Sequence, residues 1–216
     1  MNYSAVLFDF DYTLADSSQG IVICFRSVLN RYQYNGITDE DIKRTIGKPL
    51  EYSFSLLTGI TDNNRLASMR NEYVKEADQY MNKNTFLFPD TLSVLLSLKN
   101  QGIKTGIVST KYRYRILDFF SNHLPAGWFD VIIGGEDVSR HKPDPESLNT
   151  AIRELNISRE QILYIGDSTT DAETALNAGT DFIGITSGIT TREELQVYPH
   201  VKIIDRLEEL IPVSPA

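Results

Sequence analysis

Apolar residues run almost unbroken from Ala5 to Phe10, interrupted only by Asp9, a pattern that predicts a parallel strand covered on both faces. After Thr13 the period changes. Ile21, Phe25, Val28, Leu29 and Tyr32 recur at spacings of three and four, which predicts a long amphipathic helix with Ser17 or Ser18 as its N-cap. Thr38 followed by Asp39, Glu40 and Asp41 reads as a second helix start, with acids at its positive end, Ile42 and Ile46 as its apolar face, and a break at Gly47-Lys48-Pro49. Helical spacing resumes through Tyr52, Leu56 and Leu57 to Gly59, and again from Leu66 through Met69, Tyr73, Ala77 and Tyr80. Residues 16–83 therefore read as a small helical bundle inserted into another fold, with Asn82 to Asn84 as the return linker.

Beyond the linker, strand and helix alternate. Pro89-Asp90 opens a helix with Leu92, Leu95 and Leu96 that ends at Gly102; Ile103 to Thr110 is a strand, and Ile116, Phe119 and Phe120 follow at helical spacing. Phe129 to Ile133 is the next strand, and Asp144-Pro145 opens a helix with Leu148, Ala151, Ile152 and Leu155 inward. The grammar repeats with a strand from Ile162 to Ile165, a helix carrying Ala172, Ala175 and Leu176, and a strand from Phe182 to Ile185. Val201 to Ile204 reads as an edge strand before a terminal helix near Leu207 and Leu210. This order predicts an α/β fold: a doubly wound, Rossmann-like parallel sheet formed by residues 1–15 and 84–216, carrying the helical insertion.

The totals narrow the classes of function. A chain of 216 residues with 41% hydrophobic and 23% charged residues is long enough for one core and one inserted unit, and no composition bias suggests disorder. The formal net charge of −8 disfavours nucleic acid and anionic membranes as partners, so an anionic ligand needs a local positive site. Cys24, the single cysteine, reads as a small buried apolar group in a reducing compartment. No apolar run approaches the ~20 residues of a membrane span, and the chain is placed in the cytoplasm. A monomer or homodimer is expected.

In such sheets ligands bind beyond the carboxyl ends of the strands. There the sequence places Asp9 and Asp11, then Ser109 and Thr110, then Lys142 in a loop, then Asp167 and Asp171. Each has a structural alternative: Ser109 and Thr110 as helix caps, Lys142 as a solvated loop residue, Asp167 in a turn, Asp171 in a first helical turn. Together they suit different work. Asp9 and Asp11 point to the same side, and two carboxylates about 4 Å apart repel by roughly 4 kcal/mol at protein-like dielectric, so the pair asks for a cation. Carboxylates, a lysine and hydroxyls at one sheet edge suit a divalent metal with a phosphoryl group, and Mg²⁺ takes hard oxygen ligands while keeping several waters.

The stretches Asp9-Phe10-Asp11-Tyr12-Thr13, Val108-Ser109-Thr110, Lys142-Pro143-Asp144-Pro145 and Gly166-Asp167-Ser168-Thr169-Thr170-Asp171 resemble the four ordered motifs of the haloacid dehalogenase-like hydrolase superfamily. The resemblance covers nearly the whole chain, with residues 16–83 as the helical cap, and Ser109-Thr110-Lys111 brings it near phosphoglycolate phosphatases and related pyrophosphatases. It implies a Mg²⁺-dependent phosphatase acting on a small phosphorylated metabolite. Asp9 would be the nucleophile and Asp11 the general acid and base; Mg²⁺ would be held by Asp9, the Asp11 carbonyl and Asp167, supported by Asp171. Ser109 and Lys142 would join in catalysis, and Thr13, Ser109, Thr110 and Lys142 would bind phosphate. Two departures stand out: Tyr12 replaces a common Gly, and Asp90 replaces the Gly that commonly follows Pro89.

Specificity is expected to reside in the cap, with Tyr12, Arg44, Lys48 and Tyr52 as candidates. Lys111, Arg113 and Arg115 either add local positive potential or are merely exposed. Asp11 argues against a dehalogenase, which needs no leaving-group acid, and against a phosphonatase using Lys48 as a Schiff base. A hexose-phosphate mutase of the same fold keeps both acids and stands as the alternative; a phosphate-binding or phospho-Asp regulatory protein is the non-enzymatic one.

Overall fold

A computed structural model describes residues 2–211, which fall into two compact units. One comprises the chain up to Ala15 and from Leu87 onward; the other is Asp16–Phe86. No described helix is long and apolar enough to cross a membrane.

The first unit is built on six parallel strands: β1 (Ala5–Phe8), β4 (Lys104–Val108), β5 (Val131–Ile133), β6 (Ile162–Gly166), β7 (Asp181–Ile185) and β8 (Lys202–Ile204). They lie in the order β5-β4-β1-β6-β7-β8. Strand β1 is central and wholly buried, with alternate residues serving opposite faces. Val6 and Phe8 join Leu163 and Ile165 against α5 (Thr91–Asn100) and α6 (Arg113–Ser121). Ala5 and Leu7 join Tyr164 against α7 (Glu146–Leu155) and α8 (Thr169–Ala178). This two-sided burial is what the unbroken apolar runs encode, and the sheet is the doubly wound parallel type. Successive strands diverge between β1 and β6, which places the ligand crevice of such a sheet beyond Phe8 and Gly166.

Within this unit Leu14 O accepts from Phe88 N at 3.2 Å and from Thr91 Oγ1 at 2.7 Å. The two-residue strands β2 (Ala15–Asp16) and β3 (Phe86–Leu87) mark where the chain passes from one unit to the other.

The second unit packs α1 (Ser18–Arg31), α2 (Asp39–Lys43), α3 (Leu50–Thr58) and α4 (Asn63–Tyr80) around Cys24, Phe25, Val28, Leu29, Phe54, Met69 and Tyr73. The Phe25 ring sits 4.7 Å from Phe54 and 4.8 Å from Tyr73. Several boundaries differ from the sequence reading. Helix α1 has Ser17 at its cap position without a side-chain capping bond; Asp16 Oδ1 accepts from Ser18 N at 2.9 Å. Helix α2 stops at Lys43, because Thr45 Oγ1 bonds back to Ile42 O and diverts the chain into turns. The unit extends to Phe86, since Asn82–Asn84 forms a 3₁₀ turn inside it. In the sheet unit α9 (Arg192–Gln196) precedes β8, and Leu207–Leu210 is a 3₁₀ turn where an α-helix was expected.

Candidate active site

The loop after β1 is folded tightly on the Phe10 carbonyl, which accepts from Thr13 N, Leu14 N and Ala15 N at 3.3, 3.0 and 3.1 Å. Phe10 turns into the core, edge-on to Phe119 and Phe120 at 5.4 and 5.8 Å, so Asp9 and Asp11 face away from that cluster. Tyr12 adopts φ 59°, the left-handed region where a non-glycine residue costs roughly 1–2 kcal/mol. This is the physical reason that Gly is common there. In this chain the strain is offset by burial of the ring and by Ser187 Oγ, which donates to Tyr12 O.

Four expected residues converge at the divergence of β1 and β6. Asp9, Asp167, Asp171 and Lys142 are all buried, and the three carboxylates present oxygens within 4.8 Å of one another. Lys142 Nζ donates to Asp171 Oδ1 at 2.5 Å and to Tyr164 Oη at 3.1 Å, and lies 3.2 Å from Asp9 Oδ1. Asp171 is fully engaged: Oδ1 also accepts from Tyr164 Oη at 2.8 Å, while Oδ2 takes the Ser168 hydroxyl at 2.5 Å and Ser168 N at 3.2 Å in a capping box that starts α8. Asp171 thus serves to anchor Lys142. The bland reading of Lys142 as a solvated loop residue is overturned, since it is 3% exposed.

Burial sets the electrostatics. It pushes the Asp9 carboxyl up to about 6, against the downward pull of Lys142, with Asp171 and Asp11 adding repulsion and a Ser109 hydrogen bond opposing it. Asp167 is raised well above the carboxylate range by burial first and then by Asp171 and Asp9. Burial pulls the Lys142 ammonium down, but Asp171 and Asp9 more than reverse this and hold it above its ordinary value.

Whether a divalent cation fits can be judged from the donors themselves. Asp9 Oδ1 is buried and makes no hydrogen bond of good geometry, its contact being the Lys142 ammonium at 3.2 Å. Four carboxyl groups, counting Asp11, share the cluster with two buried ammonium groups. A methyl carbon added at Gly188 would overlap Asp167 Oδ2, so backbone closes on that carboxylate where a side chain cannot. Hard oxygen donors that outnumber the ammonium groups and lie within 4.8 Å of one another suit Mg²⁺.

The remaining expected residues are placed as follows. Asp11 pairs its Oδ1 with Lys111 Nζ at 2.7 Å. Thr13 is fully buried and its hydroxyl has no hydrogen-bond partner. Ser109 is buried and receives Lys111 N on its Oγ at 3.3 Å; Thr110 beside it is half-buried. Arg44, Lys48 and Tyr52 belong to the helical unit, where Arg44 is exposed and borders a cavity of about 400 Å³, Lys48 is half-buried and Tyr52 is exposed.

One residue was not singled out from the sequence. Tyr164 reads there as one more apolar member of a strand, but its Oη bridges Asp171, Lys142 and the Val108 carbonyl. Lys111 and Arg115 belong to a basic stretch that reads equally well as surface; in the structure both are buried, and the merely exposed reading fails for them.

The profile of haloacid dehalogenase-like hydrolases matches residues 6–185. Pyrophosphatase PpaX of Bacillus cereus is 30% identical over 213 residues, spanning 99% of this chain and 97% of the relative. A solved structure from Bacteroides fragilis named for the haloacid dehalogenase-like hydrolases is 65% identical, with TM-score 0.96 over 97% of this chain and all of that one. A predicted phosphatase from Clostridium acetobutylicum is 25% identical, with TM-score 0.89 and 97% of each chain covered.

Proposed function

Because the chain belongs to the haloacid dehalogenase-like hydrolase family, we propose that it is a Mg²⁺-dependent phosphatase. On this reading it cleaves a small phosphate ester or phosphoanhydride through an aspartyl phosphate on Asp9. The observation that carries this reading is the buried Asp9 Oδ1 beside Lys142, within a cluster where four carboxyl groups meet two ammonium groups. The names of two relatives, a pyrophosphatase and a predicted phosphatase, support the class of substrate.

In the first half-reaction an Asp9 oxygen attacks phosphorus, the bond from phosphorus to the leaving oxygen breaks, and Asp11 passes its proton to that oxygen. In the second, water attacks phosphorus, its proton goes to Asp11, and the Asp9 carboxylate is released with inorganic phosphate. Lys142, held rigidly by Asp171 and Tyr164, places a positive charge where negative charge gathers on nucleophile and phosphoryl group, at no cost of reorganisation. Ser109 and Thr13 supply hydroxyl donors to the phosphoryl oxygens. Mg²⁺, held by Asp9, Asp167 and the Asp11 carbonyl, would offset carboxylate repulsion and polarise the phosphoryl group.

The test is turnover with and without Mg²⁺ on pyrophosphate, phosphoglycolate, nucleoside monophosphates and sugar phosphates. Metal-dependent release of phosphate from at least one is expected. Absence of hydrolysis across the panel, with folded protein and metal present, overturns the reading.

A further inference from the structure

Among the described residues two lysines are buried, and they pair with different carboxylates of the proposed reaction. Lys142 lies between Asp9 and Asp171, on the nucleophile's side. Lys111, just past the end of β4, reaches Asp11 Oδ1 at 2.7 Å with its Nζ 5.0 Å from the Phe10 ring centroid. Asp11 is the group assigned to the leaving oxygen. The Lys111 ammonium is therefore the cation on the leaving-group side.

A second negative charge on the leaving group would meet a cluster already rich in carboxylates, and in a chain of formal charge −8 nothing in the general field would attract it. An ammonium is a compact point charge with rotatable donors, suited to holding Asp11 and an incoming anion in one place. Resting on the phosphatase reading above, we propose that Lys111 is a specificity residue: it selects substrates whose leaving group carries its own anionic group, a phosphate or a carboxylate, over phosphates of neutral alcohols. Pyrophosphate and phosphorylated hydroxy acids belong to the favoured class. A neutral sugar or glycol phosphate belongs to the other.

The experiment compares substrates matched in everything but that charge. Phosphoglycolate and 2-hydroxyethyl phosphate release alcohols of similar size, one with a carboxylate and one without; pyrophosphate adds the phosphate arm. The wild-type enzyme with Mg²⁺ is expected to favour at least one charged substrate over 2-hydroxyethyl phosphate by about tenfold or more in kcat/KM. Lys111→Met should shrink that ratio by about tenfold while Lys111→Arg, which keeps the charge, preserves most of it. Which charged arm responds separates a phosphate from a carboxylate leaving group. An equal loss on charged and neutral substrates would reduce Lys111 to a partner of Asp11 and overturn the proposal. If Lys111→Met does not fold, the wild-type ratio still decides, because a ratio near one on both arms contradicts selection by charge. Turnover of 2-hydroxyethyl phosphate without preference, or turnover of other phosphates in the panel with none of either charged substrate, sinks this inference alone; hydrolysis of nothing in the whole panel sinks the phosphatase reading and this inference with it.

Discussion

Lys142 Nζ lies 2.5 Å from Asp171 Oδ1, with both side chains essentially out of solvent. Removing one partner of such a pair leaves a buried, uncompensated charge. Asp171→Asn is expected to lower unfolding free energy by about 3–5 kcal/mol and kcat by about 100-fold, read by thermal or chemical denaturation and by steady-state kinetics. A fully stable, fully active variant would show that Asp171 does not anchor Lys142.

Tyr164 Oη completes the same arrangement through Asp171, Lys142 and the Val108 carbonyl. Tyr164→Phe keeps the ring in its place on β6 and deletes those bonds, leaving the Val108 carbonyl unmet. It should cost about 1–3 kcal/mol of stability, seen as a lower melting temperature. Activity should fall about tenfold, chiefly in kcat, because Lys142 loses a fixed position while substrate contacts remain.

Gly188 is a test of the cation site that leaves every ligand in the sequence. Its added methyl would displace the Asp167 carboxylate and press on Tyr12 Cβ at 3.1 Å, while its φ is outside the left-handed region and adds no backbone strain. Gly188→Ala should raise the Mg²⁺ concentration for half-maximal activity by about tenfold or more. An unchanged metal requirement would exclude Asp167 as a ligand.

Protons and cation compete for Asp9. Its carboxyl is raised to about 6, so below that value the folded protein without metal keeps the proton, and above it the charge is only partly offset by Lys142 against burial and the repulsion of Asp171 and Asp11. Adding Mg²⁺ should therefore raise the melting temperature more above pH 6 than below it. A shift independent of pH would contradict the assignment of Asp9 to the cation.

Glu146 provides an opposite sign. Hydrogen bonds from Ser139, backbone and side chain, lower its carboxyl from the ordinary 4.5 to about 2, opposed by burial and aided by Arg140. A lowered folded value contributes stability that is fully present above 4.5 and lost as pH falls from there through about 2. Glu146→Gln should flatten the melting temperature across that window, by loosening the turn at Ser139 and Arg140 that precedes Lys142.

Much of this was legible in the sequence, and the omissions have physical causes. Asp9, Ser109, Lys142, Asp167 and Asp171 could be read together because a parallel sheet delivers its strand ends to one edge and polar residues there stand out against apolar strands. Tyr164 could not, since a phenol inside an apolar strand has the pattern of a core ring; only the fold shows that it shares a face with α7 and α8 and reaches Lys142. Lys111 was ambiguous because a basic run at a helix start fits a solvated surface equally well. Within the helical unit, Ile46 fits the period of α2, but local bonds from Thr45 and the turn to Pro49 override it.

The central claim is a covalent phosphoryl group on Asp9. The direct measurement is an acid quench during turnover, followed by peptide mapping by mass spectrometry. The account predicts one phosphoryl group on the peptide containing Asp9, absent in Asp9→Asn, which should also lack turnover. Phosphate on another side chain, or normal turnover by Asp9→Asn, would contradict it.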